Sequence, residues 1–213
     1  MTAILTADEL SFRYDPHTPL VERWSARFDA GEVVAVTGPS GRGKSTLLYL
    51  LGLMLKPRGG QVLLDGAPVH SLSDARRAAL RAGDFGFVFQ DAALDPSRTV
   101  LDNILETVMY RGGDRSGATR RAEELMEQFG VGLRRTAKPG QVSGGQAQRI
   151  AICRALLGRP RVLLADEPTG NLDPASSDIV VGALHEHARE GGTAIVVTHD
   201  PALVARCDRR IEL

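Results

Sequence analysis

The sequence predicts an α/β fold whose core is interrupted by an all-helical insert. Short apolar runs rich in β-branched residues alternate with helical periodicity before residue 92 and again after residue 158. Between these positions, helical periodicity continues without a convincing strand. The second predicted strand alternates polar and apolar residues, as half-buried antiparallel strands do. We therefore expect a single domain over residues 1–213, in which residues 1–91 and 159–213 form the core and residues 92–158 form a helical subdomain.

The composition of the chain is that of an ordinary soluble globular protein. Of its 213 residues, 43% are hydrophobic and 24% are charged. The formal net charge is zero, which argues against a nucleic-acid-binding protein driven by bulk charge. No apolar run approaches the length of a membrane span, and the N-terminus lacks a signal-peptide pattern. The two cysteines, Cys153 and Cys207, have no metal-binding spacing, which favours a reduced, cytosolic compartment.

The first part of the chain is predicted to combine several strands with two helices. The strands are expected at residues 4–13, 20–28, 32–37, 61–65 and 84–90, and the helices at residues 47–51 and 73–82. Segments rich in Pro or Gly, at residues 15–19 and 56–60, mark loops. The strand at 84–90 is expected to end on Gln90, because phenylalanines alternate along it up to that residue.

The insert and the second part of the core are predicted mostly from helical periodicity. Helices are expected at residues 100–110, 116–129, 144–157, 174–189 and 202–207, and strands at residues 161–165, 193–198 and 210–213. Pro174 suits the first turn of its helix. His185 and His187 are two residues apart on this helix and do not share a face, so we interpret both as solvated and not as a metal site.

Residues 38–46 carry the clearest chemical signal, because they match the phosphate-binding pattern G-x-x-x-x-G-K-[ST]. The segment consists of Gly38, Pro39, Ser40, Gly41, Arg42, Gly43, Lys44, Ser45 and Thr46. It lies between a predicted buried strand and a helix. Its glycines let backbone N–H groups surround phosphate oxygens, and the helix N-terminus adds partial positive charge. Lys44 is predicted to reach the β- and γ-phosphates, and Ser45 to bind Mg²⁺.

Two adjacent carboxylates, Asp166 and Glu167, follow the predicted strand at 161–165. Ligands of open parallel sheets bind at the carboxyl ends of the strands. Asp166 is therefore placed to hold Mg²⁺ or its waters, and Glu167 to polarise a water for attack on the γ-phosphate. A solvated acidic turn is the alternative, although the buried strand and the phosphate loop make it the weaker one.

A second anion site is predicted at residues 142–146, which open the helix at 144–157. The sequence there is Val142, Ser143, Gly144, Gly145 and Gln146. A Ser-Gly-Gly segment at a helix N-terminus binds anions for the same reason as the phosphate loop. One nucleotide needs only one such loop. The second site is explained if two chains dimerise head to tail and each lends this segment to the nucleotide of its partner.

These motifs, in this order, resemble the nucleotide-binding subunits of ATP-binding cassette (ABC) transporters over essentially the whole chain. The resemblance implies a P-loop NTPase fold of the ABC ATPase type: a RecA-like core with a mixed sheet, an antiparallel β edge subdomain and a helical insert. Residues 38–45 resemble Walker A, residues 163–166 resemble Walker B before a catalytic Glu167, and residues 142–146 resemble the LSGGQ signature with Val142 in place of Leu. Gln90 resembles the Q-loop glutamine, which contacts Mg²⁺ and senses the transmembrane partner.

The same resemblance implies roles for residues that would otherwise be unremarkable. Asp173, within residues 171–173, matches the D-loop at the dimer interface; His199 matches the switch histidine at the γ-phosphate; Tyr14 matches the aromatic residue that stacks on adenine. ATP and Mg²⁺ are the implied cofactors, with Glu167, His199 and Lys44 as catalytic residues. The implied partners are transmembrane permease subunits and a second ATPase chain, identical or paralogous. No nucleic acid and no direct membrane insertion are expected, and the implied location is the cytoplasmic face of the bacterial inner membrane.

Residues 85–90, 166–173 and 207–209 resemble the branch of macrolide-export, lipoprotein-release and cell-division ATPases. Relatives usually continue past a final Asp-Gly turn, so the end at Leu213 predicts that a regulatory C-terminal domain is absent. Chromosome-maintenance ATPases need a long coiled-coil insertion, and a small-molecule kinase would not explain residues 142–146. The alternative that stays open is an ATPase that transmits force in cell division or envelope remodelling without transporting a substrate. The transported substrate itself is not encoded in these motifs.

Overall fold

The fold is taken from a computed structural model, which describes residues 3–15, 17–39, 41–111, 114–170 and 172–213, and only the backbone of residues 109–111. The strands are β1 (Ala3–Phe12), β2 (Val21–Asp29), β3 (Val33–Thr37), β4 (Gly59–Leu64), β5 (Ala67–Pro68), β6 (Phe85–Val88), β7 (Val162–Asp166), β8 (Thr193–Val197) and β9 (Arg209–Glu212). The helices are α1 (Lys44–Leu51), α2 (Asp74–Asp84), α3 (Val100–Arg111), α4 (Arg115–Gln128), α5 (Gly144–Leu156), α6 (Pro174–Arg189) and α7 (Pro201–Val204). Two 3₁₀ turns cover Gly132–Arg134 and Pro139–Gln141.

Four strands form an antiparallel sheet of order β2-β1-β4-β5. Thr6 of β1 lies opposite Arg27 of β2 and Leu63 of β4, so β1 is paired on both sides. Leu10 and Phe28 are fully buried, whereas residues between the buried positions of β2 are exposed or half-buried. This alternation is the pattern from which the antiparallel pair is predicted. Strand β5 is not predicted, because two residues are too few to show a period.

Five strands form a parallel sheet of order β6-β7-β8-β3-β9. Every residue of β3, β7 and β8 is buried, as expected of parallel strands covered by helices on both faces. The order places β7, β8 and β3 side by side, so their carboxyl ends meet at one edge of the sheet. The phosphate loop follows β3, Asp166 and Glu167 lie at the end of β7, and His199 lies just after β8. The strand order therefore brings together residues that are far apart in the sequence.

Helices α3, α4 and α5 pack on one another around a shared apolar core. Ile104, Leu125, Phe129 and Ile150 are each at most 1% exposed within it. Between residues 92 and 158, the described chain contains helices and 3₁₀ turns but no strand. In the part of the chain that the structure describes, no helix is both long and apolar enough to span a bilayer.

Strand β6 is shorter than the sequence predicts. It ends at Val88, so Phe89 and Gln90 lie beyond the sheet. The backbone then passes through Ala92 and Ala93 with positive φ angles of 60° and 46°. Alternating phenylalanines predict a longer strand. Gln148 and Arg154 of α5 instead donate hydrogen bonds to the carbonyl oxygens of residues 89, 92 and 93, and the chain leaves the sheet after Val88.

The prediction that both histidines of α6 are solvated is wrong for His187. Its side chain is buried, with 7% relative exposure, whereas His185 is half-buried. The ring atom Nε2 of His187 lies 3.3 Å from the carbonyl oxygen of Thr193. A Cβ atom at Gly192 would come within 2.4 Å of this ring, so the turn after α6 closes directly over the histidine. Helical spacing correctly separates the two faces, but only the tertiary fold decides that one of them is covered.

Burial of His187 predicts a loss of stability at mildly acidic pH. Burial lowers the pKa of His187 from its usual value, so the folded chain holds the ring neutral where the unfolded chain protonates it. The unfolded state then binds more protons, and the free energy of unfolding falls as pH drops below about 6.5 toward the lowered pKa. Urea midpoints measured at pH 8 and pH 5.5 should differ less in His187→Gln than in the parent. The exposed His17 supplies the control: His17→Gln should keep the parental difference, and an unchanged difference in His187→Gln would contradict the assignment.

Candidate active site

The phosphate loop joins the buried strand β3 to helix α1 through a tight glycine turn. Gly41 and Gly43 have φ angles of 76° and 87°, in the left-handed region that glycine enters without strain. A Cβ atom at Gly43 would lie 2.6 Å from the Leu20 side chain, so a larger residue would also clash. Gly43 is the N-cap of α1, whose first N–H groups have no partner within the helix. Ser40, predicted to bind nucleotide, lies outside the described residues.

Lys44 spans the mouth of this loop. Its Nζ donates hydrogen bonds of 2.9 Å to the carbonyl oxygens of Gly38 and Pro39. The ammonium group therefore lies where the loop curves, among carbonyl acceptors that it can exchange for phosphate oxygens. Arg42, also in the predicted set, is exposed.

The loop, the end of β6 and the ends of β7 and β8 enclose one cavity of about 410 Å³. Its lining consists of Leu20, Gly41, Gly43, Lys44, Ser45, Thr46, Gln90, Asp166, Glu167, Val197 and His199. Most of these residues are predicted from the sequence. Five separate segments of the chain, of which Leu20 is the first, thus converge on a single site.

Asp166 is a buried carboxylate at the floor of the cavity. Burial raises its pKa above the usual range, an effect that a hydrogen bond from Ser45 and the charge of Lys44 partly oppose. The carboxylate, the Ser45 hydroxyl and the Gln90 amide oxygen together form an all-oxygen donor set. Mg²⁺ prefers such ligands, so these three residues fit the predicted metal.

Glu167 is held in a strained and highly specific position. Its φ angle of 47° is unusual for a residue with a side chain and costs on the order of 1–3 kcal/mol. Its backbone N–H donates a 2.9 Å hydrogen bond to the carbonyl oxygen of Val197. Only 11% of the side chain is exposed, so the carboxylate points into the site rather than into bulk solvent. Strain at a functional residue persists only when the surrounding contacts determine its conformation.

The segment after β8 supplies those contacts. Oε1 of Glu167 accepts a 3.0 Å hydrogen bond from the His199 backbone N–H and lies 2.5 Å from Nδ1 of the same histidine. Oε2 accepts a 2.9 Å hydrogen bond from the Thr198 hydroxyl. Thr198 is not predicted as a site residue. Its only signal is that it is a hydroxyl residue at the end of a buried strand, directly before His199.

Tyr14 lies beside the phosphate loop with an exposed ring. Its side chain packs edge-on against Phe12, with ring centroids 4.9 Å apart. The hydroxyl is 3.4 Å from Oγ1 of Thr46 in α1. With a relative exposure of 65%, Tyr14 leaves an aromatic face open next to the loop.

A family model described as ABC transporter matches residues 21–170 of the chain. LolD of Roseobacter denitrificans, a lipoprotein-releasing system ATP-binding protein, is 47% identical over 188 residues, which cover 88% of this chain and 83% of the relative. LolD 1 of Rhodospirillum rubrum is 48% identical over 184 residues, which cover 86% of this chain and 81% of the relative. The chain belongs to the ABC transporter family.

Solved structures agree with this assignment. The dimeric structure of MJ0796, a bacterial ABC transporter cassette, matches with a TM-score of 0.92 and 31% identity, covering 98% of this chain and 94% of that one. A post-hydrolysis dimer of MJ0796 bound to ADP and Pi matches with a TM-score of 0.91 and 31% identity, with the same coverage. The predicted P-loop ABC ATPase fold is confirmed. The chain is an ATP-binding, ATP-hydrolysing subunit of an ABC transporter.

Residues 142–146, which resemble the ABC signature, do not join the cavity that contains Lys44, Asp166 and Glu167. We call this cavity the nucleotide cavity because ATP is expected to bind there. Among the described residues that line the cavity, none comes from residues 142–146. Ser143 instead caps α5: its Oγ accepts from the Gln146 N–H over 3.2 Å, and Oε1 of Gln146 accepts from the Ser143 N–H over 3.0 Å. Val142, in place of the usual leucine, packs against the helical core.

Asp173 likewise lies outside the nucleotide cavity. It caps α6, where its carboxylate accepts from the backbone N–H of Ser176 over 3.0 Å and from the Ser176 hydroxyl over 2.6 Å. These hydrogen bonds lower the pKa of Asp173. The neighbouring Asn171 is outside the described residues.

A second, mostly apolar cavity of about 800 Å³ lies between α2, β6, α3 and α5 of this ABC subunit. We call it the alanine groove; it is lined by Met54, Ala75, Ala78, Ala79, Arg81, Ala82, Phe85, Gly86, Phe87, Phe89, Ala93, Glu106, Thr107, Arg154, Ala155 and Gly158. Phe89 lines this groove while the next residue, Gln90, lines the nucleotide cavity. Adjacent residues of one segment therefore line the two cavities.

Proposed function

We propose that two copies of this ABC ATPase close head to tail around two ATP molecules and drive a permease that releases lipoproteins from a membrane. The identity of about half of the aligned residues to lipoprotein-releasing ATPases carries the proposal of substrate class. Their shared name refers to release, which favours transport over force transmission alone. The chain would lie on the cytoplasmic face of a bacterial inner membrane, held there by the permease.

The phosphate loop would hold the triphosphate of ATP. Lys44 would exchange the carbonyls of Gly38 and Pro39 for β- and γ-phosphate oxygens, and the glycine N–H groups with the start of α1 would bind the remaining charge. The open face of Tyr14 would stack on adenine. These contacts orient the nucleotide so that its terminal phosphate faces the carboxylates after β7.

Asp166, Ser45 and Gln90 would hold Mg²⁺ with the phosphates. The ion, when bound, neutralises charge on the β- and γ-phosphate oxygens. Asp166 is buried and accepts a hydrogen bond from Ser45. Together these constraints hold its carboxylate in one position at the floor of the site.

Glu167 would accept the proton of the water that attacks the γ-phosphate. The Thr198 hydroxyl and the backbone N–H of His199 each donate a hydrogen bond to a different oxygen of its carboxylate. These two hydrogen bonds fix the direction of the carboxylate. The His199 ring and Lys44 would stabilise the negative charge that develops on the transferred group. Fixed donors of this kind need no reorganisation during the reaction, which is why they lower the barrier.

The signature segment would act on the nucleotide of the partner chain. Ser143, Gly144 and Gly145 form a capped helix N-terminus that does not line the cavity of their own chain, and Asp173 is also absent from that lining. A second copy would bring these groups to the γ-phosphate and complete the site. The dimeric cassettes described above support this arrangement.

The alanine groove would receive an apolar segment of the permease. It is concave, largely apolar and adjacent to Gln90, so an occupant could respond to changes in the nucleotide cavity. The helical subdomain, residues 92–158, forms one wall. Its displacement relative to the core of residues 1–91 and 159–213 would transmit closure of the dimer to the membrane.

Reconstitution would test this function. The tagged chain, purified in detergent with its copurifying permease and placed in proteoliposomes that contain a lipoprotein, should release the lipoprotein into the soluble fraction when ATP is added. Ala79→Arg, which places a charge in the alanine groove, should keep the ATPase activity of the isolated chain but lose the permease. Ala205→Arg, at an exposed position outside the groove, is the control. A complex that hydrolyses ATP but releases no lipoprotein would refute the substrate class.

A further inference from the structure

Arg154 is a largely buried cation on α5 that does not line the nucleotide cavity. Its relative exposure is 8%. Nη1 donates a 2.7 Å hydrogen bond to the carbonyl oxygen of Ala93, and Nη2 donates a 2.8 Å hydrogen bond to that of Ala92. Burying a guanidinium group is unfavourable unless its hydrogen bonds are satisfied, so a mobile loop would be a poor partner for it. The geometry therefore indicates that Ala92 and Ala93 are held in place.

The backbone that Arg154 binds is itself unusual. Ala92 and Ala93 are consecutive non-glycine residues with positive φ, a conformation that needs outside support. A second α5 side chain, Gln148, is 2% exposed and donates from Nε2 to the carbonyl oxygen of Phe89 over 3.2 Å. Together, Arg154 and Gln148 bind both ends of the segment 89–93. Gln90, which lines the nucleotide cavity, lies inside this segment.

The same helix begins at the signature segment. Helix α5 starts at Gly144, capped by Ser143, and Gln148 and Arg154 lie about 6 Å and 15 Å further along its axis. An α-helix of this length moves as a rigid body. A displacement of Gln90 would therefore be transmitted by these side chains to Ser143. Arg154 and Ala93 also line the alanine groove, so an occupant there would touch the same connection.

We propose that Arg154 and Gln148 are positioning residues that tie Gln90 to the signature helix, and we call these two side chains the α5 clamp. The clamp makes the orientation of α5 depend on the position of Gln90. Nucleotide bound at Gln90 would then set the helix so that Ser143 meets the nucleotide of the partner chain. This inference rests on the proposed head-to-tail dimer, and it concerns how the two halves of each site are coordinated.

The test measures ATP-dependent dimerisation separately from ATP binding. In a Glu167→Gln background, size-exclusion chromatography gives the ATP concentration for half-maximal dimer formation, and a fluorescent ATP analogue gives the affinity of the monomer. Arg154→Met should raise the concentration for dimerisation about tenfold, the loss expected for charged hydrogen bonds, while leaving monomer affinity unchanged. Arg154→Lys, which keeps the charge but has a single donor nitrogen, should recover part of this effect.

Arg77 supplies a matched control for lost stability. It is 6% exposed and donates from Nη1 to the carbonyl oxygen of Leu53, another residue with positive φ, but it lies on α2 outside the clamp. Arg77→Met should lower the thermal midpoint comparably without shifting the ATP concentration for dimerisation. If Arg154→Met does not fold, Gln148→Leu decides the question, because it should shift dimerisation in the same direction by a smaller factor.

Two outcomes would overturn the clamp. One is an unshifted ATP concentration in Arg154→Met or, if that variant does not fold, in Gln148→Leu. The other is an equal shift in Arg77→Met, which would show that lost stability alone weakens the dimer. If the Glu167→Gln parent formed no dimer with ATP, the head-to-tail dimer itself would fail, and this result is distinct from a failure of the clamp.

Discussion

Glu167→Gln is expected to lower the kcat of ATP hydrolysis by about 100- to 10,000-fold, because the amide cannot accept the proton of the attacking water. Glutamine has the shape of glutamate, and its oxygen can still accept from the N–H of His199 or the hydroxyl of Thr198. ATP binding should therefore persist. Without hydrolysis, the ATP-bound dimer should accumulate, as a shift to the dimer in size-exclusion chromatography with ATP.

The control for this variant is Glu22→Gln, which makes the same chemical change at an exposed residue of β2. It should hydrolyse ATP at the parental rate and form no stable dimer. Steady-state phosphate release measures both variants under the same conditions. A parental hydrolysis rate in Glu167→Gln would show that the base is another residue.

Changes in the signature segment are expected to abolish hydrolysis in a homodimer but to be rescued in trans. Gly144 has no atom within 4 Å of a Cβ built at its position, and a carboxylate is favourable at a helix N-terminus. Gly144→Asp should therefore fold normally while repelling the γ-phosphate of the partner's ATP. Ser143→Arg should have the same effect on hydrolysis, with an added loss of about 1 kcal/mol of stability from the missing cap.

Mixing experiments distinguish the dimer from a self-contained site. When Gly144→Asp chains are mixed with Lys44→Ala chains, each mixed dimer combines one intact phosphate loop with one intact signature segment. ATP hydrolysis should reappear, from at most one of the two sites in each mixed dimer. The matched control is Gly182→Asp, a substitution at an exposed glycine of α6 with equally free space, which should remain active by itself. Full activity in the separate Gly144→Asp and Lys44→Ala proteins would refute a shared site.

The residues of the nucleotide cavity were largely predictable because their signals are local. A glycine loop between a buried strand and a helix, or a carboxylate pair after a buried strand, can be recognised within about ten residues of sequence. Lys44, Asp166 and Glu167 are all recognisable in this way. His199 is assigned only from the family resemblance, since one histidine after a strand has no specific pattern. The boundaries of the helical subdomain remain a prediction.

Other features depend on contacts between distant segments and leave no local pattern. Thr198 contributes through a hydrogen bond to a residue 31 positions earlier. The strand before Gln90 ends early because Gln148 and Arg154 bind its continuation from 59 to 62 positions away. His187 is buried because a later turn closes over it. In each case burial or pairing is set by the packing of elements, which periodicity within one element does not encode.

The α/β class, the helical insert, the phosphate loop and the adjacent carboxylates are readable from residue patterns alone, because propensities and short motifs act over a few residues. Which segments share the nucleotide cavity, how Glu167 is oriented, and that residues 142–146 lie outside the lining of that cavity follow only from the packing of the fold. The order of strands in the parallel sheet is the physical reason. It brings three strand ends to one edge of the sheet, whereas the N-terminus of α5 belongs to the helical subdomain and does not line the cavity at that edge.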